Sequence, residues 1–455
     1  MGESSLRGER LRIEAIAVSA VALAILTNGP SVTISRHYAV PLGWERWPYI
    51  IPMGLVALAG VFLAGRSIEL WQVRLARWPL TVLAVFMAWT ITSVMWSVAP
   101  DATATRSLLT TGVAMFGIWY GLCLSFREQL LALSISMSTL TLWSLAVILL
   151  QPHTHQIYPP PWHPGWHTTV FGIFGNPNSL GPVAALAALT AIGVWWMFPN
   201  AVARAWAVVT AVVGVILVLW SQCETAIAGL IIGVIALACM AAMPLLRKAR
   251  WWVVAGSLLG LVLVAWKVAF ATIDRWAPAV GGSAMLSSRR LIWSDVRSAI
   301  ALRPWRGYGF FAFWDNPDYT AATYQHIGTP YGSAHNSVLE VALGLGRVGV
   351  VLFLVLAGMM IVGVARALWK RTTVPTVGWA ILVLFLVVQN SMESFVLWHS
   401  YLWMLFVAAT VIPTRLGWHH PEGEASQPED VVHDPERVTT RRHPDEALVG
   451  LDASF

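Results

Sequence analysis

The sequence predicts an all-α, polytopic integral membrane protein with about 12 transmembrane helices and a large extracytoplasmic loop between spans nine and ten. Three observations predict it. The 455 residues are 57% hydrophobic and only 11% charged, with a mean hydropathy of +0.65, whereas a soluble chain carries about a quarter charged residues. Apolar runs approaching the roughly 20 residues that a bilayer crossing needs follow one another along most of the chain. Most of the 26 Trp stand near the ends of those runs, where an indole ring is half wet.

Taken in order, the first span is 13–28, after a basic start with Arg7, Arg10 and Arg12. It can act as an uncleaved anchor. The next are 49–64, 79–98, 107–124 and 130–150. Spans 180–198, 203–220 and 225–244 follow, the last two joined by a tight hairpin at Gln222-Cys223-Glu224. The ninth is 252–271, the tenth runs from 337 to about 365, and 377–391 and 395–413 complete the set. Residues 1–271 thus hold spans one to nine, 272–336 the loop with the candidate site, and 337–413 spans ten to twelve. The tail, 414–455, is rich in Glu, Asp, Arg and His without an apolar period, which predicts disorder.

Orientation follows from Lys and Arg in the short loops. With the N-terminus cytoplasmic, the inside loops hold Arg66, Arg74, Arg77, Arg127, Arg204, Arg247, Lys248, Arg250, Arg366, Lys370 and Arg371. The outside short loops hold only Arg36, Arg46 and Arg106. The loop 272–336 lies outside despite its arginines, since long loops do not obey the rule. The net charge of +6 reflects inside-facing loops rather than a nucleic-acid surface. Cys123, Cys223 and Cys239 all lie in or beside apolar runs and suggest neither a disulfide framework nor a metal cluster.

Chemistry concentrates where polar residues meet the membrane. The stretch Ser333-Ala334-His335-Asn336-Ser337-Val338-Leu339-Glu340 opens the tenth span. Helical spacing puts Asn336 and Glu340 on one face beside His335; the same stretch also reads as a helix start capped by Ser333 or Asn336, with the histidine incidental. Gly344, Gly346 and Gly349 let that helix pack close to a neighbour. The loop before it holds Arg275, Arg289, Arg290, Arg297, Arg303 and Arg306 beside Trp276, Trp293, Trp305 and Trp314. Arginine forks grip phosphate oxygens, and indole faces suit sugar rings or lipid headgroups. Arg290, Trp293, Arg297 and Ile300 equally have the period of an amphipathic helix on the bilayer. His153, His155, His163 and His167 have spacings that ligands can adopt, but no carboxylate or cysteine stands beside them, and an irregular lid fits the prolines better. Asn176 and Asn178 flank Pro177 in a turn before a span. Glu224 and Glu393 are carboxylates between apolar runs, costly there unless paired or wet, and Glu224 can pair with an arginine of the large loop.

These stretches resemble the O-antigen ligase and O-antigen polymerase family of membrane glycosyltransferases. His335-Asn336 followed by Gly346-x-x-Gly349 is similar to its signature. Phe171-Gly172-Ile173-Phe174-Gly175-Asn176-Pro177-Asn178, then Arg290-Leu291-Ile292-Trp293 with Pro304 and Gly307-Tyr308-Gly309-Phe310, and finally Glu393-Ser394, resemble its other motifs in order. The resemblance covers about residues 170–400. It implies an enzyme of the cell inner (plasma) membrane, with its site on the extracytoplasmic side, that takes a glycan from a polyprenyl-diphosphate carrier and passes it to a glycan, lipid or protein hydroxyl. It implies no metal or other cofactor and no nucleic acid. His335 would activate the acceptor, and Arg290 would bind the diphosphate leaving group. Many relatives carry a basic residue in a Ser-x-Ser-Arg/Lys-Thr hairpin; this chain has Ser221-Gln222-Cys223-Glu224-Thr225 instead. The missing charge would come from Arg289, Arg303, Arg306 or Arg347. The alternative function is a transporter or flippase of lipid-linked glycans. That reading calls for charges deep in several spans and for repeat symmetry; here the conspicuous charges gather at one surface, and no repeat stands out. A third reading is a structural scaffold for wall synthesis.

Overall fold

The computed structural model describes residues 3–30, 47–66, 77–157, 168–241, 284–321, 332–370, 372–394 and 400–413. The expected ninth span, 252–271, and the expected disordered tail lie outside these residues. The helices are α1 (Glu3–Leu26), α2 (Trp47–Arg66), α3 (Arg77–Thr92, extended by a 3-10 turn at Ser93–Trp96), α4 (Pro100–Cys123) and α5 (Phe126–Leu150). After them come α6 (Pro177–Met197), α7 (Ala201–Ser221), α8 (Glu224–Ala241) and α9 (Ala284–Leu302). The last are α10 (Ser337–Lys370), α11 (Val374–Met392) and α12 (Tyr401–Val411). A two-residue antiparallel ladder, β1 (Gln156–Ile157) with β2 (Thr169–Val170), straps the connection between α5 and α6.

Among the described residues, seven helices are long and apolar enough to cross a membrane, and two more apolar helices, Glu224–Ala238 and Tyr401–Val411, are shorter. The expected dozen is therefore matched only in part by this criterion among the described residues. The reason is visible in α4, which has the length of a span but turns Thr103, Ser107 and Thr110 into the protein. A helix that hides its hydroxyls inside needs less apolar surface to sit among lipids. Thr103 and Ser107 use those hydroxyls: Thr103 lies 2.7 Å from Ser97 Oγ, and Ser107 donates to the Thr90 carbonyl at 3.1 Å.

The core is built around α12. All eleven of its residues are buried, as a helix apolar on every side must be when protein surrounds it. Gly117 and Gly121 on α4 let it approach; a Cβ at Gly117 would stand 2.7 Å from the Met404 carbonyl. Trp403 donates to the Thr110 carbonyl at 2.9 Å. Its ring joins Phe86, Phe353 and Phe406 in one aromatic cluster linking α3, α10 and α12.

Two features position the site. Helix α10 is broken at Gly346, which has φ 66° and ψ −166°. The break should orphan several backbone groups in an apolar setting, where each is costly. Four of them find partners in other segments. Arg347 N–H donates to the Pro304 carbonyl at 2.8 Å, while the Leu343 and Gly344 carbonyls accept from Tyr308 N–H and Gly309 N–H, both at 2.9 Å. The Leu345 carbonyl accepts from Trp89 Nε1 at 3.1 Å. The turn 304–309 thus replaces the missing turn of helix. The second feature is α9, where the expected loop proves helical. Its Ile292, Trp293 and Val296 face inward and pack with Tyr308, Phe313, Trp314, Ala334, Leu343 and Met392. The amphipathic period is real, and its apolar face is covered by the protein's own residues.

Candidate active site

Three segments far apart in sequence meet at one end of the bundle. Helix α9 brings Arg289, the turn before α10 brings His335, and the end of α11 brings Glu393. Arg289 Nη2 donates to Glu393 Oε1 at 2.5 Å, and His335 Nδ1 lies 2.8 Å from Glu393 Oε2. The Arg289 and Glu393 side chains are 5% and 1% exposed, that of His335 19%. One carboxylate therefore bridges a buried cation and a more accessible imidazole. A carboxylate only accepts, so the shared proton sits on Nδ1, and the neutral ring then has its lone pair at Nε2. This is the base-plus-orienter arrangement that nucleophile activation requires.

Local sequence explains why the turn holds. Asn336 is the N-cap of α10: its Oδ1 accepts from Leu339 N–H at 3.0 Å. Its Nδ2 donates to the Ser391 carbonyl at 3.0 Å, and its N–H to Ser394 Oγ at 3.1 Å. Ser337 Oγ lies 2.6 Å from Asn390 Oδ1. The start of α10 is thereby tied to the end of α11, which brings His335 to Glu393. Buried Glu340 accepts from Trp314 Nε1 at 2.8 Å and from Ala334 N–H at 2.6 Å. His335 itself has φ 48°, a left-handed conformation that costs a non-glycine residue roughly 1–2 kcal/mol.

The hairpin between α7 and α8 lies beside this cluster. Burial pushes the Cys223 thiol up to about 11, with the Glu393 charge adding to the rise and Arg289 opposing it. Glu224, half-buried, also lies within the field of Arg289. Arg289, an arginine that the sequence offered for phosphate, is thus paired with the Glu393 carboxylate.

The other expected site residues fall in different places. Arg290 lies on α9 next to Arg289; its side chain lies outside the described residues. Arg303 stacks on the Tyr308 ring at 4.8 Å and donates to the Tyr319 hydroxyl at 3.0 Å. Arg306 stacks on Trp96 at 5.7 Å and Arg347 on Trp305 at 5.1 Å. These three belong to the 304–309 turn and its surroundings, at the break in α10. Asn176 caps α6, accepting from Asn178 N–H at 2.8 Å, and Asn178 is buried in the first turn. His155 is buried with Nδ1 2.8 Å from the Gly172 carbonyl; His163 and His167 lie outside the described residues. Among the described residues no three His, Cys, Asp or Glu side chains converge as a metal site needs.

Glu393 was visible in the sequence as a costly carboxylate between apolar runs, yet nothing in its neighbourhood pointed to His335, 58 residues earlier. Trp314 was legible only as an aromatic suited to sugar rings or lipid headgroups, and Trp293 as that and as part of the Arg290-Leu291-Ile292-Trp293 stretch; the backbone and carboxylate that their N–H groups meet were not legible.

Residues 209–354 match the family model described as O-antigen ligase. The likeness to an O-antigen ligase domain is confined to this segment. The O-antigen ligase match begins within α7, takes in α8, α9, the 304–309 turn and His335, and stops within α10, so Glu393 lies beyond it. No curated protein matches the chain. With the domain go the apolar helices of a multi-pass membrane protein.

Proposed function

We propose that the protein is a membrane glycosyltransferase of cell-surface polysaccharide assembly. It moves a glycan from a polyprenyl-diphosphate carrier to an acceptor hydroxyl on the outer face of the cytoplasmic membrane. The observation that carries this reading is the 2.8 Å contact between His335, within the segment that matches the O-antigen ligase model, and Glu393, beyond it. The imidazole takes the acceptor's proton, and the freed oxygen attacks the anomeric carbon of the donor sugar. The bond from that carbon to the diphosphate breaks, and polyprenyl diphosphate leaves as an anion. The departing negative charge calls for fixed cations. Arg290 is assigned that role because the family resemblance gives it to this position, while its neighbour Arg289 is held by Glu393.

The side is supported by charge. Helices alternate in direction, so 96–100, 221–224, 303–316 and 393 share one end of the bundle. The opposite end carries Arg12 near Glu128, Arg127 over Phe198 and Arg204 over Trp195. Basic residues favour the cytoplasmic face in short loops, which supports an outward-facing His335 end.

The experiment is transfer by the purified protein in detergent, with a labelled polyprenyl-diphosphate-linked glycan and a hydroxyl acceptor. Transfer that survives EDTA, falls sharply in Arg290→Ala and much less in Arg275→Ala, and is poorly rescued by Arg290→Lys, supports the proposal, since lysine lacks the paired fork. Absence of transfer in wild type with every such donor overturns it, and loss in EDTA restored by a divalent ion overturns the metal-free mechanism.

A further inference from the structure

The residue just before His335 is held at both of its backbone polar groups. Ala334 is fully buried. Its N–H donates to Glu340 Oε2 at 2.6 Å, and its carbonyl accepts from Trp293 Nε1 at 2.8 Å. Glu340 is in turn fixed through its other oxygen by Trp314 Nε1 at 2.8 Å. The residue that follows adopts φ 48°, a conformation that backbone sterics alone disfavour for histidine. A strained residue persists only where its surroundings over-determine it, and here two indoles and a carboxylate do so.

We infer that Trp293 and Glu340 are positioning residues for His335. They touch neither substrate nor reacting atom. They hold the Ala334 peptide in the one orientation from which the left-handed His335 presents Nδ1 to Glu393. This inference rests on the proposed base role of His335 and adds to it the reason why the ring stands where it does. It also gives Glu340, which helical spacing set on one face with Asn336 beside His335, the task of holding backbone. Trp293 matters here for its N–H and not for its ring face.

The test uses the full-length protein in detergent. Trp293→Phe keeps an aromatic ring in the α9 core and removes the donor. Its kcat should fall roughly a hundredfold with KM unchanged, the effect of misplacing a catalytic group by about an ångström. The loss should be much smaller in a Glu393→Gln background, because both changes break the same placement. Independently of activity, hydrogen exchange in the peptide 332–337 should quicken while α11 stays protected. Should Trp293→Phe fail to fold, Glu340→Gln is the second variant: an amide retains one acceptor oxygen and turns a donor toward one of its two partners. Losses that simply add to that of Glu393→Gln overturn the inference, as does kcat within about twofold of wild type with unchanged exchange. If wild type transfers nothing from polyprenyl-diphosphate donors, the proposed function fails, and the exchange measurement alone then decides whether the clamp exists.

Discussion

His335 has its ring tied to Glu393 and its backbone in a left-handed conformation. His335→Ala should fold and insert, because the side chain is part-exposed and its removal opens no deep cavity. Transfer should drop roughly a hundredfold to ten-thousandfold, the usual contribution of a general base. Activity preserved at equal expression would return His335 to a helix-start residue. A glutamine in its place can accept or donate a hydrogen bond but cannot take the proton, so a fully active His335→Gln would exclude the base role. Arg289 makes a different prediction. Arg289→Ala leaves the Glu393 carboxylate buried without its cation, a loss of about 3–5 kcal/mol. Thermal unfolding in detergent should show a lowered midpoint that the double variant Arg289→Ala/Glu393→Gln partly restores; a single variant as stable as wild type would deny the pair any structural weight. Sequence reasoning named His335 and Arg289 but not their connection. Residue type and spacing report what a side chain can do, whereas a contact across 104 residues is set by how α9 and α11 pack.

The break in α10 is the element on which the site end is assembled. Its glycine was legible as a close-packing residue, but hydropathy reads α10 as one continuous span, because the break changes neither length nor apolarity. Gly346→Ala should be severely destabilising. A Cβ there would stand 2.2 Å from the Trp305 carbonyl carbon, and φ is 66°, so backbone strain of about 1–3 kcal/mol adds to the clash. Gly358, on the same helix, meets nothing within 4 Å; Gly358→Ala should be neutral or stabilise by roughly 0.5–1 kcal/mol. Unfolding midpoints of the two variants side by side check this, and equal midpoints would refute the packing argument. Helix α9 teaches the complementary lesson. Its period was readable, but the partner of its apolar face was not: Tyr308, Ala334, Leu343 and Met392 come from the 304–309 turn, the turn before α10, α10 and α11.

For the whole molecule, the class of fold was plain because composition is a global property. An 11% charged chain has few ways to exist outside a bilayer. The number of spans was harder, since α4 trades apolar surface for buried hydroxyls and α12 is short. Arg106, counted among the few outward arginines, pairs with Asp315 in the segment after the 304–309 turn, which ties α4 to the site end. Topology can be measured directly. Reporter fusions at Ser283 and Ser426 should give an extracytoplasmic signal at the first and a cytoplasmic signal at the second. The same signal at both would break the orientation.

The broken helix α10 also carries information about the order in which the protein comes into being. Trp89, Pro304, Tyr308 and Gly309, which satisfy its exposed backbone, all precede it in the chain, so the break meets its partners as soon as it is synthesised. Glu393 is made 58 residues after His335. Until the ribosome has completed α11, the growing polypeptide holds an arginine and a histidine with no carboxylate between them. On the proposed mechanism, then, a nascent chain is chemically silent at the membrane, and its activity switches on with the last helices to arrive.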